Sequence, residues 1–157
     1  MHDVFGITIT FPDREQTFGN VFMDYNGTLA RGGELLHGIK AKLRLLSSHV
    51  NLFVLTADTF GTARKELADL AIKVLIVSNG AEKAELIRTL GKGSAIAIGN
   101  GKNDVEMFQE AQLSIGIMGP EGIAPKLIVV SNIVVPSIAH ALDLLLEPRG
   151  IVATLRD

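Results

Sequence analysis

Polar side chains follow several short apolar runs of this sequence, and their types suit one kind of chemistry. Asp24 and Asn26 follow a first run, and Thr56 ends a second. Lys83 lies in the first turn of a helix candidate, and the polar segment Asn100–Asp104 follows a later run. Phosphoryl transfer through an aspartyl phosphate needs a carboxylate nucleophile, a hydroxyl and an ammonium for the phosphoryl oxygens, and a hard cation held by oxygen ligands. The sequence therefore predicts one site to which four segments contribute.

The apolar runs are rich in Val, Ile and Leu and alternate with longer stretches of helical spacing. Most lack polar alternation, which is typical of strands buried on both faces of a parallel sheet. The predicted strands are NVFMDY (20–25), NLFVLTA (51–57), KVLIV (73–77), SAIAIG (94–99), LSIGI (113–117) and LIVVS (127–131). This alternation predicts a three-layer, doubly wound α/β fold with a mainly parallel sheet, whose ligands bind at the carboxyl ends of the strands.

Local signals indicate where helices begin and where an additional strand lies. Asn79 precedes Glu82 by three residues and Asn103 precedes Glu106 in the same way, a spacing typical of a capping box. Pro136 is expected to open the last helix. The segment GITITF (6–11) alternates apolar and polar residues, which predicts a half-exposed strand at an edge or in a hairpin.

Composition limits the class of protein and of partner. The 157 residues are 47% hydrophobic and 20% charged, which indicates a single domain spanning residues 1–157. The net charge of -2, with mixed signs, favours neither a nucleic acid nor an anionic membrane as partner. No cysteine is present, so disulfides and thiolate zinc sites are excluded. No apolar run reaches the roughly 20 residues of a membrane helix, so a soluble, cytoplasmic protein is expected.

The residues resemble the haloacid dehalogenase (HAD) superfamily of phosphatases, phosphomutases and P-type ATPases. DYNGTLA (24–30) is similar to its D-x-D-G-T-[LV] signature, and VLTAD (54–58) to its second motif, which ends in Thr or Ser. Lys83 is similar to the lysine of the third motif, and GNGKND (99–104) to the fourth motif, G-D-G-x-N-D. The segment after the fourth motif most resembles P-type ATPases. The resemblance therefore implies a capless member, similar to a free-standing P-type ATPase phosphorylation domain.

The resemblance also implies a role for each catalytic candidate. Asp24 would attack phosphorus, Thr56 would hydrogen-bond a phosphoryl oxygen, and Lys83 would neutralise charge on nucleophile and phosphate. Phosphatases of the family have a second aspartate at the position of Asn26, which protonates the leaving group and later activates water. An amide does neither, and losing a general acid/base costs about 10²- to 10⁴-fold in rate. P-type ATPases place threonine there and still form the phosphoenzyme, so a slow phosphohydrolase is expected.

The same resemblance implies a magnesium site. Mg²⁺ would be held by the Asp24 carboxylate, the backbone carbonyl of Asn26 and the side chain of Asn100, with Asp104 as a metal-site residue close behind. Asn100 stands where the family usually has an aspartate. An amide oxygen still ligates Mg²⁺, but with one negative charge fewer the site is expected to bind the ion more weakly.

Alternatives to the phosphatase remain at this point. Asn26-Gly27 is a strong turn dipeptide, and Asn103 with Asp104 suits a helix cap and first-turn acid without any chemistry. A non-catalytic relative that uses the crevice for binding or regulation, and a receiver-like phosphorylated switch, are two further functional classes. The expected partner is a small phosphorylated substrate or phosphoryl donor. Capless members often complete their sites by oligomerising, and the mean hydropathy of +0.32 is compatible with a homo-oligomer.

Overall fold

The computed structural model describes residues 5–156, so residues 1–4 and 157 of the predicted domain lie outside the described residues. Its strands are β1 (Ile7–Thr10), β2 (Glu15–Phe18), β3 (Asn20–Asp24), β4 (Ala30–Arg31), β5 (Glu34–Leu35), β6 (Asn51–Thr56), β7 (Ile72–Ile76), β8 (Ala95–Gly99), β9 (Leu113–Ile117) and β10 (Ile133–Val135). Its helices are α1 (Lys40–Ser47), α2 (Thr62–Glu66), α3 (Gly80–Gly91), α4 (Val105–Glu110), α5 (Pro125–Val130), α6 (Ile138–Leu146) and α7 (Arg149–Leu155). A single 3₁₀ turn, Lys102–Asp104, precedes α4.

The centre of the described residues is a six-stranded parallel sheet in the order β10-β9-β8-β3-β6-β7. All residues of β8 and β9 are buried, because helices cover both faces of the sheet. The chain passes from β3 to β6 on one side, and β8 later pairs with β3 on the other. Such a change of direction opens a crevice at the carboxyl ends of the strands on either side of it. The predicted doubly wound α/β fold is confirmed.

Two apolar clusters fill the space between the sheet and its helices. On one face, α1 and α6 bury Leu43 and Leu142 together with the β1–β2 hairpin. On the other face, α3 and α4 bury Ile87 and Phe108. None of the helices within residues 5–156 has both the length and the apolar composition that crossing a membrane requires. The sheet therefore has the helix layer on each face that the alternating pattern predicts.

The N-terminal strand forms a hairpin outside the main sheet. β1 pairs antiparallel with β2, with Ile7 opposite Phe18 and Thr10 opposite Glu15. The apolar residues of β1 are buried and its threonines are exposed. The predicted half-exposed strand in a hairpin is confirmed, because the period-two pattern presents one apolar face to the core.

Residues 125–130 form helix α5, so the predicted strand at 127–131 is wrong. Pro125 occupies the first turn, where its fixed φ and missing N–H are tolerated. Leu127 is fully buried, whereas Val129 is 83% exposed. The parallel strands β9 and β10 need a crossover between them, and α5 lies in it. Topology thus overrides the β preference of a short Ile/Val run, and the last strand is β10 (Ile133–Val135), which the sequence pattern did not indicate.

The predicted helix starts are only partly right. Asn79 caps α3, because its Oδ1 accepts the backbone N–H of Glu82 at 2.9 Å. Asn103 does not cap α4, because it lies inside the 3₁₀ turn Lys102–Asp104 and α4 begins at Val105. The last long helix begins at Ile138 rather than at Pro136, and the hydroxyl of Ser137 accepts the N–H of the helix's third residue. The start of a helix is therefore set by the side chain that accepts a backbone N–H of its first turn, and a capping residue type in the sequence is not sufficient.

Candidate active site

The carboxyl ends of β3, β6 and β8 open into a cleft of ≈310 Å³. It is the crevice expected where the strand order changes direction. The predicted site residues that line it are Asp24, Asn26, Thr56, Lys83 and Asn100. Asp104 is the exception, since it is fully buried behind the cleft. Side chains from four separate segments are thereby brought together.

Lys83 links two acidic residues on one wall of the cleft. Its Nζ donates to Asp24 Oδ1 at 2.9 Å and to Asp104 Oδ1 at 2.7 Å. The side chain of Lys83 is 3% exposed, that of Asp24 14% and that of Asp104 0%. The Asn79 cap sets the start of α3, so Lys83 in the first turn reaches back to the end of β3. Charge-assisted hydrogen bonds in such dry surroundings are strong and fix the ammonium in place.

Asp104 organises the loop between β8 and α4. Its Oδ2 accepts the backbone N–H groups of Asn100 at 3.2 Å and Gly101 at 3.1 Å. A Cβ at Gly99 would collide with the Asp104 carboxylate, which explains why glycine ends β8. Both oxygens of Asp104 therefore have protein partners, one being Lys83 and the other the loop backbone.

The electrostatics of the cleft leave an excess of negative charge. Burial and the neighbouring Asp104 carboxylate raise the pKa of Asp24 to about 6, although the Lys83 ammonium acts in the opposite direction. Burial disfavours the charged form of Lys83, but the Asp24 and Asp104 charges outweigh it and raise the pKa of the ammonium. Two buried carboxylates thus share one ammonium, and a bound cation would offset the remaining charge.

Asn26 lies on the opposite, open wall, in the turn that follows β3. The carbonyl of Tyr25 accepts the N–H groups of Thr28, Leu29 and Ala30, so the chain makes a tight turn before β4. The Asn26 side chain is exposed, and its Oδ1 accepts the backbone N–H of the hairpin residue Gly33 at 2.9 Å. The amide at position 26 therefore ties the β4–β5 hairpin to the edge of the cleft.

Asn100 uses both ends of its amide. Its Nδ2 donates to the carbonyl of Gly122 at 3.0 Å, and its Oδ1 accepts a long hydrogen bond of 3.4 Å from the Thr28 hydroxyl. A carbonyl only accepts, so the bond to Gly122 sets the orientation of the amide. Gly27 faces this side chain closely, and a Cβ there would lie 2.7 Å from Asn100 Nδ2.

Thr56 lies at the end of β6 and is 8% exposed. Its hydroxyl accepts the N–H of Asp58 at 3.2 Å, which holds the turn that leaves the strand. The Asp58 carboxylate in turn accepts the N–H groups of Ala63 and Arg64 in α2. The hydroxyl of Thr56 is thus fixed at the cleft, where its hydrogen is available to an acceptor.

The donor set of the cleft fits a hard cation. Within residues 5–156, no three His, Cys, Asp or Glu side chains are grouped closely enough to hold a metal ion by themselves. The cleft instead offers the Asp24 carboxylate with oxygens of Asn26 and Asn100. Mg²⁺ is commonly bound by one or two carboxylates and keeps several waters, so these residues suit it.

Four further polar residues line the cleft that were not among the predicted site residues: Ser78, Asn79, Asn103 and Glu121. Asn79 and Asn103 were recognised only as helix caps. Glu121 lies in the loop after the buried strand β9, and this place was the available signal. It comes four residues after the end of that strand, in a glycine-flanked loop that the strand pattern does not resolve.

Sequence comparisons relate the chain to archaeal proteins and to an ATPase, while no protein-family model matches it. It is 50% identical over 62 residues to the uncharacterized protein MJ0073 of Methanocaldococcus jannaschii, an alignment that covers 40% of this chain and 67% of that protein. It is 33% identical over 114 residues to the phospholipid-transporting ATPase tat-1 of Caenorhabditis elegans. The latter alignment covers 68% of this chain but 10% of the ATPase.

Solved structures share the fold across most of the chain. The 3-deoxy-D-manno-octulosonate 8-phosphate phosphatase of Moraxella catarrhalis, in complex with magnesium, phosphate and KDO, matches with a TM-score of 0.69 and 17% identity over 88% of this chain and 94% of that one. The cobalt-bound phosphatase YrbI of Haemophilus influenzae matches with a TM-score of 0.69 and 14% identity over 89% and 90%. A protein of Streptomyces avermitilis assigned to the HAD family of hydrolases matches with a TM-score of 0.63 and 15% identity over 80% of each chain.

Proposed function

The chain belongs to one family with the archaeal protein MJ0073, and it shares its fold with a HAD-family hydrolase and with sugar-phosphate phosphatases. We propose that it is a member of the haloacid dehalogenase superfamily and a phosphohydrolase. The single observation that carries the proposal is the Lys83 ammonium, held between Asp24 at 2.9 Å and Asp104 at 2.7 Å in the cleft. A nucleophilic carboxylate beside a fixed ammonium suits attack on a phosphoryl group, whose negative charge needs a fixed cation. The fold shared with sugar-phosphate phosphatases supports the same class.

Each of the predicted site residues has a part in this proposal. Asp24 attacks phosphorus and carries the phosphoryl group as an aspartyl phosphate. The Thr56 hydroxyl donates to a phosphoryl oxygen, and Lys83 stays charged because two carboxylates surround it. Asp104 holds Lys83 and the loop after β8 from behind. Mg²⁺, bound by Asp24 with Asn26 and Asn100, would supply charge neutralisation for the phosphoryl oxygens.

Asn26 sets the expected rate. Its amide neither donates a proton to a leaving oxygen nor takes one from water, which costs about 10²- to 10⁴-fold where a carboxylic acid would act. The similarity to a segment of an ATPase supports a chain that forms the phosphoenzyme more readily than it hydrolyses it. We therefore propose slow turnover with an aspartyl phosphate on Asp24 that persists.

A second candidate is a binding or regulatory protein of the same fold with impaired catalysis. Asn100 favours it, because its amide is already engaged by Gly122 and Thr28 and gives a metal no negative charge. In this alternative the cleft would bind a phosphorylated molecule without turnover.

The remaining expectations stay predictions. A small phosphorylated substrate is the proposed partner, as for the phosphatases that share the fold. A homo-oligomer and a cytoplasmic location also stay predictions, and light scattering at working concentration tests the first of them.

The test is phosphate release from an aryl phosphate with Mg²⁺, combined with acid-quench detection of protein-bound phosphate. Wild type is expected to be slow, Asp24→Ala inactive and without bound phosphate, and Asn26→Asp much faster. If neither wild type nor Asn26→Asp releases or binds phosphate covalently with several phosphoryl donors, the proposed phosphohydrolase function is contradicted. If that inactive protein still binds inorganic phosphate, the binding or regulatory function is favoured.

A further inference from the structure

Glu121 is an acidic side chain of the cleft that the chemistry above does not use. It lies in the loop between β9 and α5, and Asp24 and Glu121 are the two acidic residues among those that line the cleft. Glu121 is exposed and takes part in none of the ion pairs found within residues 5–156. Asp24, by contrast, is held by Lys83. Glu121 is therefore the carboxyl group of the cleft that no protein cation holds.

The loop that carries Glu121 is fixed by the residues of the cleft itself. The amide of Asn100 donates to the carbonyl of Gly122, the residue directly after Glu121, at 3.0 Å. The backbone N–H of Ala124 donates to the carbonyl of Asn100 at 2.9 Å. Gly119 and Gly122 have φ values of 59° and 82°, the left-handed region that glycine adopts without strain. The loop that carries Glu121 is thus held by two hydrogen bonds from Asn100, one at Gly122 and one at Ala124.

Asn100 also has a structural role, because its amide holds the loop that carries Glu121. An aspartate at position 100 would place a carboxylate oxygen against the Gly122 carbonyl, and two acceptors repel each other. The amide at position 100 and the position of Glu121 are therefore coupled through one hydrogen bond. The same cleft that lacks a carboxyl group at Asn26 thereby keeps one in place on the neighbouring loop.

From this geometry we infer that Glu121 contacts the leaving-group oxygen and performs the proton transfer that Asn26 cannot, an inference that rests on the proposed phosphohydrolase function. In the first step, the Asp24 carboxylate forms a bond to phosphorus while the bond from phosphorus to the leaving oxygen breaks. That oxygen takes the proton of the Glu121 carboxylic acid and departs as an alcohol. In the second step, water attacks phosphorus and its proton passes to solvent, and inorganic phosphate leaves as the Asp24 carboxylate re-forms. This step stays slow because position 26 has no carboxyl group to take the proton, and Glu121 regains its own proton from solvent.

The experiment compares two substrates whose leaving groups differ in basicity. An alkyl phosphate needs a proton on its leaving oxygen, whereas a nitro-substituted aryl phosphate does not. Release of alcohol or phenol is followed in a single turnover with Mg²⁺, so that the measured rate is that of phosphoryl transfer to Asp24. Glu121→Gln is expected to slow the alkyl phosphate by about 10² or more and the aryl phosphate by a few-fold at most. Glu106→Gln, the same change at an exposed helix position outside the cleft, is expected to slow neither.

Rescue sharpens the test. Asn26→Asp places a carboxyl group at the other position, so it is expected to restore the alkyl phosphate reaction in the Glu121→Gln background. Equal slowing of both substrates by Glu121→Gln, or no difference from Glu106→Gln, would overturn the inference while leaving the phosphohydrolase intact. A wild-type protein that releases neither leaving group would overturn the proposed function and this inference with it.

Discussion

The two walls of the cleft are stabilised by different kinds of interaction. On the wall formed by α3 and the loop after β8, Lys83 and Asp104 are almost wholly removed from solvent and joined by charged hydrogen bonds. On the wall formed by the loops after β3 and β9, the side chains are the amide of Asn26 and the exposed Glu121. Hydrogen bonds between side-chain amides and backbone groups hold these two loops in place. The buried wall holds fixed charge, and the open wall is neutral apart from one carboxyl group. The buried wall suits a phosphoryl group, and the open wall suits the leaving group of the substrate.

The largest effect is expected from Lys83→Met. The change removes the ammonium between two buried carboxylates, and removing one partner of a buried pair costs about 3–5 kcal/mol of unfolding free energy. Phosphoenzyme formation should also be lost. Chemical denaturation at pH 7 measures the first effect. Lys42→Met is the matched control, because Lys42 pairs with Asp143 at 2.6 Å on the surface and should cost about 1 kcal/mol or less. An equal loss of unfolding free energy in the two variants would contradict the difference between the buried and the exposed ion pair.

Asn26→Asp tests the open wall. The new carboxylate can still accept the N–H of Gly33, so the turn should keep its shape. Phosphate release from an aryl phosphate is expected to rise about 10²-fold, the low end of the contribution of a general acid/base. Asn26→Ala, which adds no acid and loses the hydrogen bond, should give no acceleration. Equal rates for the Asp and Ala variants would show that position 26 does not limit turnover.

Asp24→Asn tests how strongly the buried wall disfavours charge. The pKa of Asp24 is raised to about 6, mainly by burial, above the value near 4 of an unfolded aspartate. The carboxyl group therefore stabilises the metal-free protein below about pH 4, and this contribution is lost as pH rises through 6. In EDTA, Asp24→Asn is expected to raise the unfolding free energy by about 1–3 kcal/mol at pH 7, and by little at pH 4.

The measurement is urea unfolding at both pH values. Asp69→Asn is a useful control, because a hydrogen bond from Lys40 lowers the pKa of that exposed carboxyl group. It should give no gain at pH 7. A gain for Asp24→Asn that is the same at pH 4 and pH 7 would contradict the electrostatic cause.

The smallest effect is expected from Asn100→Asp. In EDTA it loses the hydrogen bond to Gly122 and should cost about 1–2 kcal/mol. Mg²⁺ should restore more stability to this variant than to wild type, because the site gains a negative charge. Thermal unfolding with and without Mg²⁺ measures both. Asn51→Asp, whose amide donates to Asn20 at the other end of the sheet, is the control and should not respond to Mg²⁺.

Much of the fold is predictable from the sequence, for a physical reason. Parallel strands buried on both faces are continuous apolar runs, so β3, β6, β8 and β9 can be found by reading along the chain. The edge strand β7 is found in the same way, because it is also mostly apolar although its residues are only partly buried or exposed. The hairpin of β1 and β2 is visible because alternation of Ile and Thr has a period of two. The order of polar residues after these runs also shows which side chains reach the carboxyl edge of the sheet.

Other features depend on neighbours that are distant in sequence. Whether 125–130 becomes a helix or a strand follows from the need for a crossover between β9 and β10, which no local preference reports. The partner of the Asn100 amide and the place of Glu121 in the cleft follow from the loop after β9 folding back onto the loop after β8. Local residue patterns determined most strands of the central sheet and the candidate chemistry of this protein. Tertiary packing decided which polar groups are buried, paired or free, because those properties belong to contacts between segments and not to any one of them.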